Sequence, residues 1–132
     1  MILVDTSIWI GHLGAGHSTL AELLEHSLVL GHPWVIGELA LGRLAQRHEV
    51  IGLLTNLPQA TVATTDEVLT LVDNHGLFGK GIGYVDAQLL TATHLTPDAR
   101  LWTADKPLVA AASRLGCAFH PATPVAEGEQ LS

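Results

Sequence analysis

Short apolar runs, each followed by a helical stretch, constrain this chain more than any other feature. The first run, Ile2-Leu3-Val4, is stopped by Asp5-Thr6-Ser7. Comparable runs cover residues 27–30, 61–63, 100–103 and 117–119. Each is too short for a helix and rich enough in aliphatic or β-branched side chains for a buried strand. The intervals carry helical apolar spacing. A first helix, capped by Thr6 or Ser7, runs through Ile8, Trp9 and Leu13, with Gly11, Gly14 and Gly16 interrupting it. Further helices are expected at residues 18–26, 34–45 after Pro33, 49–57 before Pro58, 65–75, 85–96, and 107–115 before Gly116. Strands separated by helices predict an α/β fold with a mostly parallel sheet of about five strands and helices on both faces.

The chain has 132 residues, which suits one domain with a core of useful size. Its single cysteine, Cys117, excludes an internal disulfide and reads as a buried thiol. No apolar stretch approaches about 18 residues, so no membrane span is expected. MILVDTSIWI has no basic leader pattern, and the expected location is the cytoplasm. The last residues, 121–132, hold two prolines, a glycine and two acids, and are expected to form a loose tail.

Ligands of parallel sheets bind beyond the C-terminal ends of the strands. Four acids map to such boundaries. Asp5 ends the first strand, and Glu38 lies in the first turns of the helix after Pro33. Asp86 opens the helix after the glycine-rich residues 77–83, and Asp105 follows the fourth strand in LWTADKPL. Each has a simpler reading. Asp5 and Asp105 suit helix caps, Asp86 suits a helix N-terminus, and Glu38 suits an exposed helix face. Capping explains each acid singly better than it explains all four on one sheet rim. Converging carboxylates raise one another's pKa, and a hard divalent cation removes that cost. Mg²⁺ or Mn²⁺ on Asp5, Glu38, Asp86 and Asp105 would supply the charge that phosphodiester cleavage needs. Asp5 and Asp105, both at strand exits, would ligate most directly. Thr6, Ser7 and Thr103 would orient waters around the ion.

Other features are weaker. The glycines at 79, 81 and 83 follow no strand, so they make no dinucleotide fingerprint and read as a loop positioning Asp86. Eight scattered histidines form no metal motif and read mostly as surface. The formal charge of −7, from 13 acids against 6 bases, gives no basic footprint for nucleic acid. A metal in the acidic pocket is the alternative source of positive charge. Lys106 and Arg43 read equally as phosphate contacts or ordinary surface.

The segments MILVDTSIWI, VIGELALG, GIGYVDAQLLTATHL and LWTADKPL, in this order, resemble the PIN-domain family, and within it the VapC toxins of bacterial toxin–antitoxin pairs. The resemblance covers roughly residues 1–120 and matches Asp5, Glu38, Asp86 and Asp105 to the family's four acids, with Thr103 as the nearby hydroxyl. It implies a three-layer α/β/α sandwich, a homodimer, and Mg²⁺- or Mn²⁺-dependent cleavage of structured RNA. It also implies a VapB-like antitoxin that wraps the early helices, with Trp9, Leu13 and Leu39 as candidates for the receiving groove, or equally as core. Two other readings stay open. A haloacid-dehalogenase-type phosphohydrolase would use Asp5 as nucleophile, but expects an acid where Ser7 stands. A non-catalytic binding module would retain the fold alone.

Overall fold

The computed structural model describes residues 1–121. Strand β1 (Ile2–Val4) leads into α1 (Thr6–Ala15) and α2 (Ser18–Glu25). Strand β2 (Val29–Leu30) leads into α3 (Pro33–Ala40), α4 (Arg47–Asn56), α5 (Thr65–His75) and α6 (Tyr84–Leu95). Strand β3 (Arg100–Trp102) and α7 (Lys106–Arg114) complete the set.

The three strands form one parallel sheet in the order β2-β1-β3. Leu3 on the central strand pairs with Leu30 on one side and Leu101 on the other. The chain first crosses from β1 to β2, then returns to the opposite side of β1 as β3. Connections leaving β1 and β3 therefore diverge, which opens a crevice at their C-terminal ends. Asp5 and Asp105 follow those two strands.

The expected sheet of about five strands is smaller here. Gln59 makes one parallel bridge to Gly31, and Ala118 makes one to Leu101. Residues 61–63 form no strand. The Thr61 backbone N–H donates to Thr96 Oγ1 at 2.9 Å, and Thr64 starts a helix cap, so the ladder has no room to extend. At the other edge, Leu101 exchanges bonds with Cys117 and Phe119 at 2.7 and 2.8 Å, and the pairing goes no further. The helix expected over residues 34–45 stops at Ala40, whose carbonyl accepts from the Arg47 guanidinium at 2.9 and 3.1 Å.

Local chemistry explains the other boundaries. Thr64 and Glu67 form a reciprocal capping box on α5, with bonds of 3.1 and 2.8 Å, and Gly76 ends it in the left-handed conformation that glycine tolerates. The cap of α1 is Asp5, not Thr6 or Ser7. Helix α6 is buried continuously from Ala87 to Thr93, and its buried hydroxyls are satisfied internally, Thr91 donating to Ala87 O and Thr93 to Leu89 O. The core joins Leu3, Val4, Trp9, Leu20, Leu89, Leu90, Leu101 and Leu108. Trp9 and Leu39 are 1 % and 2 % exposed, and Trp9 is packed in the core and not available to a groove. Cys117 is a buried free thiol, as expected.

Histidine was expected mostly at the surface, but His32 is fully buried. Its Nδ1 accepts from the Trp34 backbone N–H at 3.0 Å and caps α3, while burial holds its pKa below the ordinary value. Of the tail expected over residues 121–132, only Pro121 is among the described residues. No helix among the described residues is long and apolar enough to cross a membrane.

Candidate active site

Asp5 leaves β1 while its backbone N–H still donates to Trp102 O at 2.9 Å, so the sheet itself fixes its position. Its carboxylate is buried and fully engaged. Oδ1 accepts from the Thr6 backbone N–H at 2.7 Å. Oδ2 accepts from Ser7 Oγ at 2.9 Å and from Thr103 Oγ1 at 2.8 Å. Thr103 stands just past β3, so this bond ties the exits of two neighbouring strands together. Its hydroxyl also accepts from the Asp105 backbone N–H at 3.1 Å.

The remaining acids sit on helix entries or faces around this point. Glu38 lies on the exposed side of α3, and its Oε1 accepts from Thr6 Oγ1 at 2.6 Å. Asp105 caps α7, its Oδ2 accepting from the Leu108 N–H at 3.1 Å. Asp86 lies in the first turn of α6, half-buried, behind Gly83 at the helix cap. Its carboxyl is pushed up to about 6, first by desolvation and then by the charges of Asp5, Asp105 and Glu38. All four sequence-selected acids therefore share one electrostatic neighbourhood. The capping readings also hold locally: Asp5 and Asp105 cap helices while facing this neighbourhood, so the two roles coincide.

All three sequence-selected hydroxyls touch a carboxylate or its backbone. Thr6 serves Glu38, Ser7 serves Asp5, and Thr103 serves Asp5 and Asp105. Among the described residues, no three His, Cys, Asp or Glu side chains form a group that could hold a metal ion directly. Local bonds account for this: Asp5 is turned into its hydroxyls, Glu38 toward Thr6, and Asp105 toward its helix. The donor set is nonetheless oxygen-only and negatively charged, and it penalises the ionisation of its own member Asp86. Those properties suit Mg²⁺ or Mn²⁺ and exclude a thiophilic metal.

Two side chains near the site escaped the sequence reading. Trp34 lies one turn before Glu38 on α3, and Tyr84 lies two residues before Asp86. Helical i, i+4 spacing from Glu38 is the signal that finds Trp34. The expected groove residues are divided. Leu13 and Leu39 border an apolar groove with Ile10, Leu44 and Val50, with Glu38 at its edge. Nothing in the site favours the phosphohydrolase alternative, since Ser7 Oγ donates to Asp5 and cannot serve as an acid there.

The chain is similar to known proteins. The chain is 53 % identical over 119 residues to ribonuclease VapC32 of Mycobacterium tuberculosis strain CDC 1551 / Oshkosh, covering 90 % of this chain and 96 % of that protein. The same figures hold for ribonuclease VapC32 of strain ATCC 25618 / H37Rv. No family model matches the chain. Identity at this level, over nearly the whole of both proteins, places the chain in the VapC family of PIN-domain proteins.

Proposed function

We propose that this chain is a metal-dependent endoribonuclease, the toxin of a toxin–antitoxin pair, which hydrolyses phosphodiester bonds in structured RNA. The observation that carries the reading is that Asp5 and Asp105 stand at neighbouring strand exits joined through Thr103, while Asp86 on α6 feels their charges and that of Glu38. The two mycobacterial relatives bear the name ribonuclease. Asp5, Asp105, Asp86 and Glu38 would hold Mg²⁺ or Mn²⁺. When bound, such an ion supplies charge to the phosphoryl oxygens and lowers the pKa of an attacking water. The chain's own residues do the positioning. Ser7 and Thr103 aim Asp5, Thr6 holds Glu38, and Thr103 ties Asp105 to Asp5. Asp86, whose ionisation burial and the other carboxylates penalise, is the member that gains most when a cation shares the site.

The family reading extends to a three-layer sandwich, one nuclease domain over residues 1–120, a homodimer and a VapB-like antitoxin. The groove bordered by Ile10, Leu13, Leu44 and Val50 fits an apolar antitoxin segment.

Cleavage of total RNA by purified protein tests the function. Asp5→Asn should cut at least about 100-fold more slowly, because a ligand facing developing charge is lost. The fold should survive, since the Ser7 and Thr103 hydroxyls can reverse their roles toward the amide. EDTA should cause a comparable loss that Mg²⁺ or Mn²⁺ restores. Full activity in EDTA, or wild-type cleavage by Asp5→Asn protein shown folded by circular dichroism, would defeat the reading.

A further inference from the structure

An exposed aromatic pair lies beside Glu38. Trp34, Glu38 and Leu41 follow one another at i, i+4 and i+7, which places them on one stripe of α3. Tyr84 opens α6, two residues before Asp86. The Trp34 and Tyr84 rings meet edge to face, with centroids 5.8 Å apart and planes at 64°. Both rings remain open to solvent, 39 % and 43 % exposed, and Leu41 is 91 % exposed. Tyr84 is held in place. Its hydroxyl accepts from Gln88 Nε2 at 2.9 Å and donates to Thr65 Oγ1 at 3.4 Å. Gln88 is itself buried at 3 %, with an unpartnered Oε1. In front of Trp34 and Leu41 lies an open groove of about 510 Å³ whose lining includes Glu38.

We propose that Trp34 and Tyr84 form a stacking platform for an unpaired nucleobase beside the scissile phosphate, a proposal that rests on the ribonuclease reading. The charge balance favours it. With 13 acids against 6 bases, and four of the acids at the site, phosphate contacts cannot supply much affinity. A base is neutral, and stacking on an aromatic ring is not opposed by neighbouring carboxylates. Two side chains already packed together lose little freedom when a base settles on them. A base paired within a helix has its faces covered, so the platform selects nucleotides in loops or single strands. A second copy of this chain is the less favoured occupant. It would bury the Glu38 carboxylate under an apolar face, whereas a nucleotide leaves that carboxylate hydrated.

Trp34 reports on its own site, because the other two tryptophans, Trp9 and Trp102, are 1 % and 3 % exposed. Titration with a short single-stranded RNA oligonucleotide in Ca²⁺, a hard cation for oxygen ligands, with the oligonucleotide checked by gel to be uncut, should quench Trp34 fluorescence and shield it from acrylamide. The same oligonucleotide annealed into a duplex should do neither. Tyr84→Ala should weaken the binding about tenfold, and Tyr84→Phe should retain it. With Mg²⁺, Trp34→Ala should raise KM about tenfold with little change in kcat, and Trp34→Phe should recover most of the loss. The substitution keeps the backbone N–H that His32 caps, and circular dichroism checks the fold. Absence of quenching overturns the proposal. So does unchanged RNA affinity in Tyr84→Ala, or a Trp34→Ala protein that loses self-association in light scattering while cutting RNA normally. Quenching by RNA in a wild-type protein that never cuts would instead overturn the ribonuclease reading and leave the platform standing.

Discussion

Asp86 shows how little a single residue type reveals without its surroundings. By position it is an ordinary first-turn acid, favoured by the helix dipole. By environment it is desolvated and faces Asp5, Asp105 and Glu38, which raise its carboxyl from 3.8 to about 6. A raised acid binds its proton more tightly in the folded state than in the unfolded one. Its contribution to stability is therefore greatest at low pH and falls as pH rises from about 4 to about 6. A divalent cation competes with that proton. In EDTA, wild-type protein should lose Tm as pH rises through this window, more steeply than Asp86→Asn protein does. At about pH 7, Mg²⁺ should raise Tm in wild type more than in Asp86→Asn. Thermal scans of both proteins across pH give the check, and parallel pH profiles for the two would contradict the assignment.

At the scale of elements, caps and tertiary anchors share the task of ending helices. The α5 cap is local: Thr64 and Glu67 satisfy each other's backbone donors on an exposed face. Thr64→Ala should cost about 1 kcal/mol, the usual value of an N-cap, and leave RNA cleavage unchanged. Urea unfolding and the cleavage assay together measure this, and a lost activity would mean that α5 bears on the site. The α1 cap is different, because Asp5 also receives Thr103 from across the sheet. Removing that carboxylate should affect chemistry far more than helix stability.

For the whole molecule, the exposed apolar residues matter most. Leu41, Phe78 and Ile10 are 91 %, 70 % and 58 % exposed, at the end of α3, in the loop between α5 and α6, and on α1. Only 14 % of the chain is charged, so little charge dilutes this surface. The proposed homodimer and antitoxin are the expected covers of Ile10 and Phe78, while Leu41 borders the groove assigned to the nucleobase. Light scattering of the isolated chain should report a dimer, and addition of an antitoxin fragment should protect the groove at Ile10 and Leu13 from hydrogen exchange. A strict monomer at high concentration would count against the homodimer.

The apolar runs and the caps were legible in the sequence because they depend on neighbours a few residues away. β1, β3, α5 and α7 appear within a residue or two of their expected bounds. The four acids were nominated from the same local pattern: the structure puts Asp5 and Asp105 after strands and Asp86 at a helix entry, and Glu38 on the exposed face of α3. What the local pattern lacks is competition between distant partners. Residues 61–63 read as strand, yet the Thr61 N–H is taken by Thr96, which is 35 positions away. The third helix reads as longer, yet the guanidinium of Arg47 captures its last carbonyl. Trp9 and Trp34 are alike in sequence terms, one in each of two apolar helical segments. Only packing buries the first in the core and leaves the second beside Glu38. Backbone propensity acts over a few residues, so composition and spacing determined the elements and nominated the acids. Burial, shared charge and the choice of hydrogen-bond partner are properties of the assembled fold, and the tertiary structure alone decided them.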